Sequence, residues 1–278
     1  MRPGRKTAAV AALGLSAALV LLGMRENKHL EVNEYKVYGV DIPENFHGFR
    51  IVQISDLHNA SFGEENGQLL SSLEASHPDI SAITGDLVDS RRPDEVAALA
   101  FVEEAAKVAP VYYVPGNHEA HRSYSVLAEK LTAVGVTVLE NEICVLEKEG
   151  QTLTVIGLMD PAFSDEKAFL VDLSRLSEET AGFTVLLSHR PEYFGEYAAA
   201  GIGLALCGHA HGGQFRFPLI GGLIAPGQGL FPLYDSGLFT EGKTTMAVSR
   251  GLGNSIIPLR LGNPPELVVV ELMGPPNE

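Results

Sequence analysis

Apolar residues in this chain fall into short runs that stop abruptly at polar clusters, with longer stretches of helical period between them. Ile51–Ile54, Ile80–Ile83, Val111–Val114, Val185–Leu187 and Leu204–Cys207 are runs of strand length, rich in β-branched residues. Unbroken runs of this kind predict strands buried on both faces. Between them, residues 65–76 place Leu69, Leu70 and Leu73 at helical spacing before His77-Pro78-Asp79 breaks the pattern. A longer helix is predicted over 94–108, with Pro93 where a first-turn proline would stand, and another over 124–134, closed by Gly135. Residues 165–179 and 191–199 also read as helical.

The middle of the chain changes character. Residues 136–139, 143–148 and 152–158 predict strands, with Glu149-Gly150 as a hairpin turn. Residues 244–249 and 267–272 predict two more, and 32–40 mixes charged and apolar residues in the manner of an edge strand. Runs ending in polar clusters recur in both halves, so the expected fold class is α+β, a four-layer α-β-β-α arrangement of two packed mixed sheets with helices outside.

At 278 residues the chain suits one large domain after an amino-terminal segment. The expected division is 1–24 as a membrane anchor, 25–48 as linker and first strand, and 49–278 as the catalytic domain. The run Ala8–Gly23 carries no charge, and Arg2, Arg5 and Lys6 precede it. Sixteen helical residues rise about 24 Å against a hydrocarbon layer of roughly 30 Å. A cleaved signal peptide is the competing reading, but the cleavage pattern is poor. Basic residues before the run predict a membrane-anchored protein whose catalytic domain lies on the extracytoplasmic side. Lys and Arg number 20 against 35 Asp and Glu, a net charge of −15, and no basic stripe appears. Nucleic acid is therefore excluded as an expected partner. The two cysteines, Cys144 and Cys207, form no pair with metal-binding spacing and read as small core residues.

Candidate chemistry sits where the strands end. The five runs lead into Asp56 and His58, Asp86, Asn117-His118-Glu119, His189, and His209 and His211. Residues two apart in a strand point to one face, so Asp56 with His58, and His209 with His211, could each reach one ion. Carboxylate with imidazole suits Mn, Fe or Zn better than Ca. Asp86 has two oxygens and could bridge. The seven candidate ligands Asp56, His58, Asp86, Asn117, His189, His209 and His211 are too many for one tetrahedral ion and suit two divalent ions. Such a site stays net positive and attracts an anionic phosphoester despite the acidic surface. His118 reads as a proton donor to the leaving group, with Glu119 to orient it or raise its pKa. Asp89 reads as an anchor for a histidine or as a helix cap. His121, Arg122 and Arg190 adjoin these motifs and read mainly as solvated surface.

The ordered set Asp56-x-His58, Gly85-Asp86, Gly116-Asn117-His118-Glu119, His189 and Gly208-His209-x-His211 resembles the calcineurin-like metallophosphoesterase superfamily over roughly residues 49–272. The resemblance implies a helix-flanked β-sandwich with a dinuclear centre. Asp56, His58, Asp86 and His211 would hold one metal, and Asp86, Asn117, His189 and His209 the other. The family more often has Asp where Glu119 stands. The flanks Gly208–Gln214, Ala225–Gly229 and Ser249–Asn254 resemble bacterial membrane-associated phosphodiesterases of this superfamily, which implies phospholipid or lipid-linked substrates. The expected function is a metal-dependent phosphodiesterase. A phosphomonoesterase of the same superfamily is the alternative within enzymes. A non-catalytic binding module would lack ligands, and none is missing. The glycine-rich apolar stretch 215–239 reads as hairpins packed on the sandwich, or as an acyl pocket or membrane contact.

Overall fold

The short apolar runs do form strands with protein on both faces. The computed structural model describes residues 3–121 and 124–275, excepting the side chains of 3–13, 15 and 121. In chain order the elements begin with α1 (Pro3–Glu26), β1 (Glu31–Tyr38), β2 (Arg50–Ile54), α2 (Gly67–Ala75), β3 (Ile80–Thr84), α3 (Glu95–Val108) and β4 (Val111–Val114). Next come α4 (Tyr124–Ala133), β5 (Thr137–Val138), β6 (Glu142–Lys148), β7 (Gln151–Gly157), α5 (Glu166–Glu178), β8 (Thr184–Leu187), α6 (Phe194–Ala199) and β9 (Leu204–Cys207). Four two-residue strands follow, β10 (Arg216–Phe217), β11 (Gly221–Gly222), β12 (Ile224–Ala225) and β13 (Gly229–Leu230). The described elements end with β14 (Gly237–Glu241), β15 (Thr244–Val248) and β16 (Glu266–Met273).

Two six-stranded mixed sheets result, ordered β1-β16-β2-β3-β4-β5 and β14-β15-β9-β8-β7-β6. Strands β2 to β5 run parallel in the first, as do β7, β8, β9 and β15 in the second. Alternation divides each strand between two layers. Ile51, Ala82, Val114, Val185 and Leu206 face the gap between the sheets. Val52, Ile54, Ile83 and Tyr113 face Leu73, Phe101 and Leu131 of the helices outside the first sheet. Leu186, Ala205 and Cys207 face Phe169, Leu173 and Phe194 outside the second. The architecture is thus the α-β-β-α sandwich that the pattern predicts. Cys207 is buried in the outer layer, and both cysteines are free.

Several boundaries shift for local reasons. Helix α3 is capped by Asp94, whose side chain accepts from the Ala97 N–H, so Pro93 precedes the cap instead of opening the helix. The edge strand expected over 32–40 runs from Glu31 to Tyr38. It pairs with β16 along its whole length, at the edge of the first sheet. The hairpin at Glu149-Gly150 has φ of 50° and 80°, the twist a two-residue turn between β6 and β7 requires. The α1 backbone is helical over 24 residues, but its side chains are described only from Gly14 onward, and among the described residues no helix is long and apolar enough to cross a membrane. The expected cations Arg2, Arg5 and Lys6 lie outside that description.

Candidate metal centre

The carboxyl ends of β2, β3 and β4 in one sheet and β8 and β9 in the other meet at one end of the sandwich. Hydrogen bonds fasten the sheets together there. Gln53 Nε2 donates to the Cys207 carbonyl at 2.9 Å, and the Asp56 carboxylate accepts from His209 N–H at 3.1 Å. Gly208 makes this approach possible, because a Cβ at that position would collide with the Ser55 hydroxyl and the Asp56 carboxylate.

The ligand pairs converge by a route other than strand alternation. β2 ends at Ile54 and β9 at Cys207, so Asp56, His58, His209 and His211 all lie beyond their strands. Asp56, His58, Asp86, His209 and His211 instead adopt left-handed backbone, with φ from 44° to 64°. Asp and His tolerate that region better than most residues, yet each still costs of order 1 kcal/mol or more. Backbone bonds between neighbouring loops hold the strain in place. Asp56 N–H donates to Gly85 O, His58 N–H to Asp86 O, and Gly253 N–H to Asp56 O.

Six of the seven expected ligands come within reach of one another in overlapping groups, and the seventh, Asn117, lines the same cavity. Asp56 Oδ1 lies 3.5 Å from His211 Nε2 and 3.9 Å from His58 Nε2. Asp86 Oδ2 lies 3.5 Å from His58 Nε2 and 3.3 Å from His189 Nε2, and His189 Nε2 lies 3.2 Å from His209 Nδ1. Donors sharing one ion at about 2.0–2.2 Å from it lie roughly 3–4 Å apart, and these separations fit. Asp56, His58 and His211 form one group able to hold an ion, Asp86, His189 and His209 another, and His58, Asp86 and His118 a third that shares His58 with the first and Asp86 with the second. Asp86 stands between the first two through a single oxygen, because Oδ1 already accepts from His118 N–H at 2.9 Å.

Unpaired polar atoms are in keeping with a pocket for cations. Both ring nitrogens of His58, His211 Nδ1 and Asn117 Oδ1 are buried without a hydrogen-bond partner. Each such atom costs about 1–3 kcal/mol unless something binds it. Burial pushes the His58 imidazole down to about 3, and holds His209 and His211 below their usual range, so all three keep free lone pairs at neutral pH. His189 goes the other way. Burial opposes its charge, but Asp86, Asp56 and Asp160 prevail and raise it to about 10. Its Nδ1 donates to Thr84 O at 2.8 Å, which turns Nε2 toward the carboxylates.

His118 lines the same cavity of about 220 Å³, with Asn117, His209, His211, Arg91, Pro226 and Ile256. Ser90 N–H donates to His118 Nδ1 at 3.1 Å, which places the proton on Nε2, the nitrogen facing Asp86 at 3.9 Å. Asp89 Oδ1 lies 3.4 Å from the same Nδ1, and Asp89 is the carboxylate partner of His118 only when the ring is a protonated imidazolium. Glu119 is not its partner. Its carboxylate accepts from the backbone N–H groups of Asp86, Val88 and Gly116, at 2.8 to 3.1 Å, and pins two ligand loops together. That corrects the catalytic role expected of Glu119. Arg190 is not solvated surface either. Asp160 binds it through two oxygens, and its Nη1 lies 2.9 Å from His209 Nε2. Asp160 was missed because Leu158 and Met159 separate it from the end of β7, although the pattern of a strand leading to a carboxylate is the same. Arg122, and the side chain of His121, lie outside the described residues.

Comparison with known proteins agrees with this geometry. Residues 49–213 match the calcineurin-like phosphoesterase family. The chain belongs to that family. It is similar to YkuE of Bacillus subtilis, described as an uncharacterized metallophosphoesterase, at 31% identity over 87% of this chain and 85% of that one. It is also similar to the phosphodiesterase YaeI of Escherichia coli, at 30% identity over 83% and 84% of the two chains. Among solved structures, TT1561 of Thermus thermophilus shares the fold, with a TM-score of 0.50 at 14% identity over 73% of this chain and 90% of that one. The chain is thus a metal-dependent phosphoester hydrolase whose ligand groups lie in the pocket described above.

Proposed function

We propose that this hydrolase is a membrane-anchored phosphodiesterase working with two divalent ions, drawn from Mn, Fe and Zn. The observation that carries the reading is Asp86 Oδ2, which faces His58 on one side and His189 on the other. Asp56, His58, Asp86 and His211 would hold one ion, and Asp86, Asn117, His189 and His209 the second. Ions held there supply Lewis acidity to phosphoryl oxygens and acidify water. The chain's own residues do the rest. Glu119 holds the loops of Asp86 and Asn117 in register. His118, as the protonated imidazolium with Nδ1 toward Asp89, gives the Nε2 proton to the departing alkoxide and returns to the neutral ring, whose Nδ1 the Ser90 N–H can then meet.

A diester carries a substituent on each side of phosphorus. The cavity lining includes apolar Pro226 and Ile256 together with Arg91, which suits a second substituent better than a free dianionic face. Phosphodiesterase is also the activity in the name of one relative. Membrane residence rests on α1. Its described side chains from Ser16 to Leu22 are exposed on every face and, apart from Ser16, apolar. A helix apolar all round needs lipid or protein about it. An extracytoplasmic catalytic domain and a lipid-linked substrate complete the reading.

Turnover of bis-p-nitrophenyl phosphate against p-nitrophenyl phosphate by the full chain in detergent tests the reaction class. A strong preference for the monoester overturns the diesterase reading. Elemental analysis counts the ions, and fewer than two in an active preparation overturns the dinuclear one.

A further inference from the structure

Beside the mouth of the pocket the chain builds an apolar arm. Residues 215–233 follow His211 closely and fold into two small hairpins, β10 with β11 and β12 with β13. Their outer ends carry Phe217, Leu219, Ile220, Leu230, Phe231 and Leu233, all exposed, with Leu219 as open as a free side chain at 108%. Clustered exposure of this kind marks a contact surface. Leu219 and Phe231 have φ of 70° and 56°, in the region that favours glycine. Large apolar residues there pay in backbone strain for being held outward. The arm's base is firm. Asp235 accepts from Gly222 N–H at 2.6 Å and pairs with Arg216 at 2.8 Å, and Gln228 and Tyr234 exchange two hydrogen bonds.

What covers the arm follows from its neighbour. The segment 257–263 supports the arm on one side, through Gln214 Nε2 donating to Ile257 O and Leu259 O, and Arg216 N–H donating to Leu261 O. The same segment seats the end of α1. Asn27 Nδ2 donates to Pro258 O at 2.7 Å, and a Cβ on Gly23 would lie 3.1 Å from Arg260 O. The exposed apolar helix and the exposed apolar arm are thus fastened to one strip of chain. Ile256, 80% exposed, extends that strip to the cavity, which the arm's Pro226 also lines.

We propose that the arm docks on the lipid bilayer surface beside α1 and sets the mouth of the metal pocket against the membrane. The contact is apolar, since the chain's net charge of −15 gives anionic lipid no electrostatic advantage. The proposal rests on α1 residing in the bilayer, and its test separates the two.

The chain contains no tryptophan, so single substitutions report locally. Full-length L219W, F231W and, as control on the exposed face of β6, V145W are each mixed with phosphatidylcholine vesicles with or without brominated acyl chains. All three should float with the vesicles and keep turnover on bis-p-nitrophenyl phosphate. Emission of L219W and F231W should shift to the blue and lose most of its intensity to brominated lipid, equally at low and high salt, while V145W is unaffected. Flotation without quenching of L219W and F231W leaves the anchor standing and overturns the docked arm. Failure to float overturns both. A blue shift that depends on protein concentration and not on lipid assigns the arm to a second copy of the chain and overturns the proposal.

Discussion

Asp86 Oδ2 and His189 Nε2 stand 3.3 Å apart, although they close strands of different sheets. That contact exists only because β3 and β8 end at the same level, where the carbonyl of Thr84, the last residue of β3, accepts from His189 Nδ1. Asp86→Asn removes the charge that both ligand groups share. Both ions should be lost together, with turnover falling to background. Elemental analysis that finds two ions retained would remove Asp86 from its shared position.

His189 should make metal binding depend on pH. Its folded imidazole titrates near 10 without metal, so at neutral pH it carries a proton that a ligand must give up. Metal affinity should therefore rise with pH, by up to about tenfold per unit, until that proton is gone near pH 10. The same sign applies to folding without metal, where the stability from protonated His189 is complete below its unfolded value near 6.5 and is lost as pH rises through 10. Calorimetry in buffers of different ionisation heat should find about one proton released per pair of ions, in line with the linkage. No release would contradict the assignment.

His118→Asn should keep both ions and lower turnover by about 10²–10⁴, the usual worth of proton transfer in catalysis. Asp89→Asn, one step further away, should cost less and leave metal content unchanged. Equal turnover in His118→Asn and the natural chain would end the role of His118 as acid.

Glu119→Gln tests the corrected role of that residue. Weakening of the bonds from three backbone N–H groups should cost about 1–3 kcal/mol of stability and lower Tm. Molecules that still hold metal should turn over nearly as before. A catalytic Glu119 would show the reverse pattern.

Gly208→Ala forces a methyl group against Ser55 and the Asp56 carboxylate. Overpacking of this kind costs about 1–3 kcal/mol, and here it also displaces a ligand. Metal content and Tm should fall together. A variant with normal metal content would mean that the two sheets meet less closely at this point.

The sequence by itself determined the layers and the chemistry. Runs such as Ile51–Ile54 and Leu204–Cys207 are almost wholly apolar, which suits strands covered on both faces, and the polar residues that follow them have few roles besides holding metal. Other features were decided only by the tertiary structure. Asp56 and His58 meet through left-handed backbone instead of strand alternation, because the strand has already ended. Glu119 binds backbone N–H groups from two loops, and the Ser90 N–H and Asp89, far from His118 in the chain, face its Nδ1. Asp160, from one strand end, holds Arg190, from another, against His209. Each of these contacts joins residues whose distance in space is set by how two sheets pack, and local pattern carries no information about that distance.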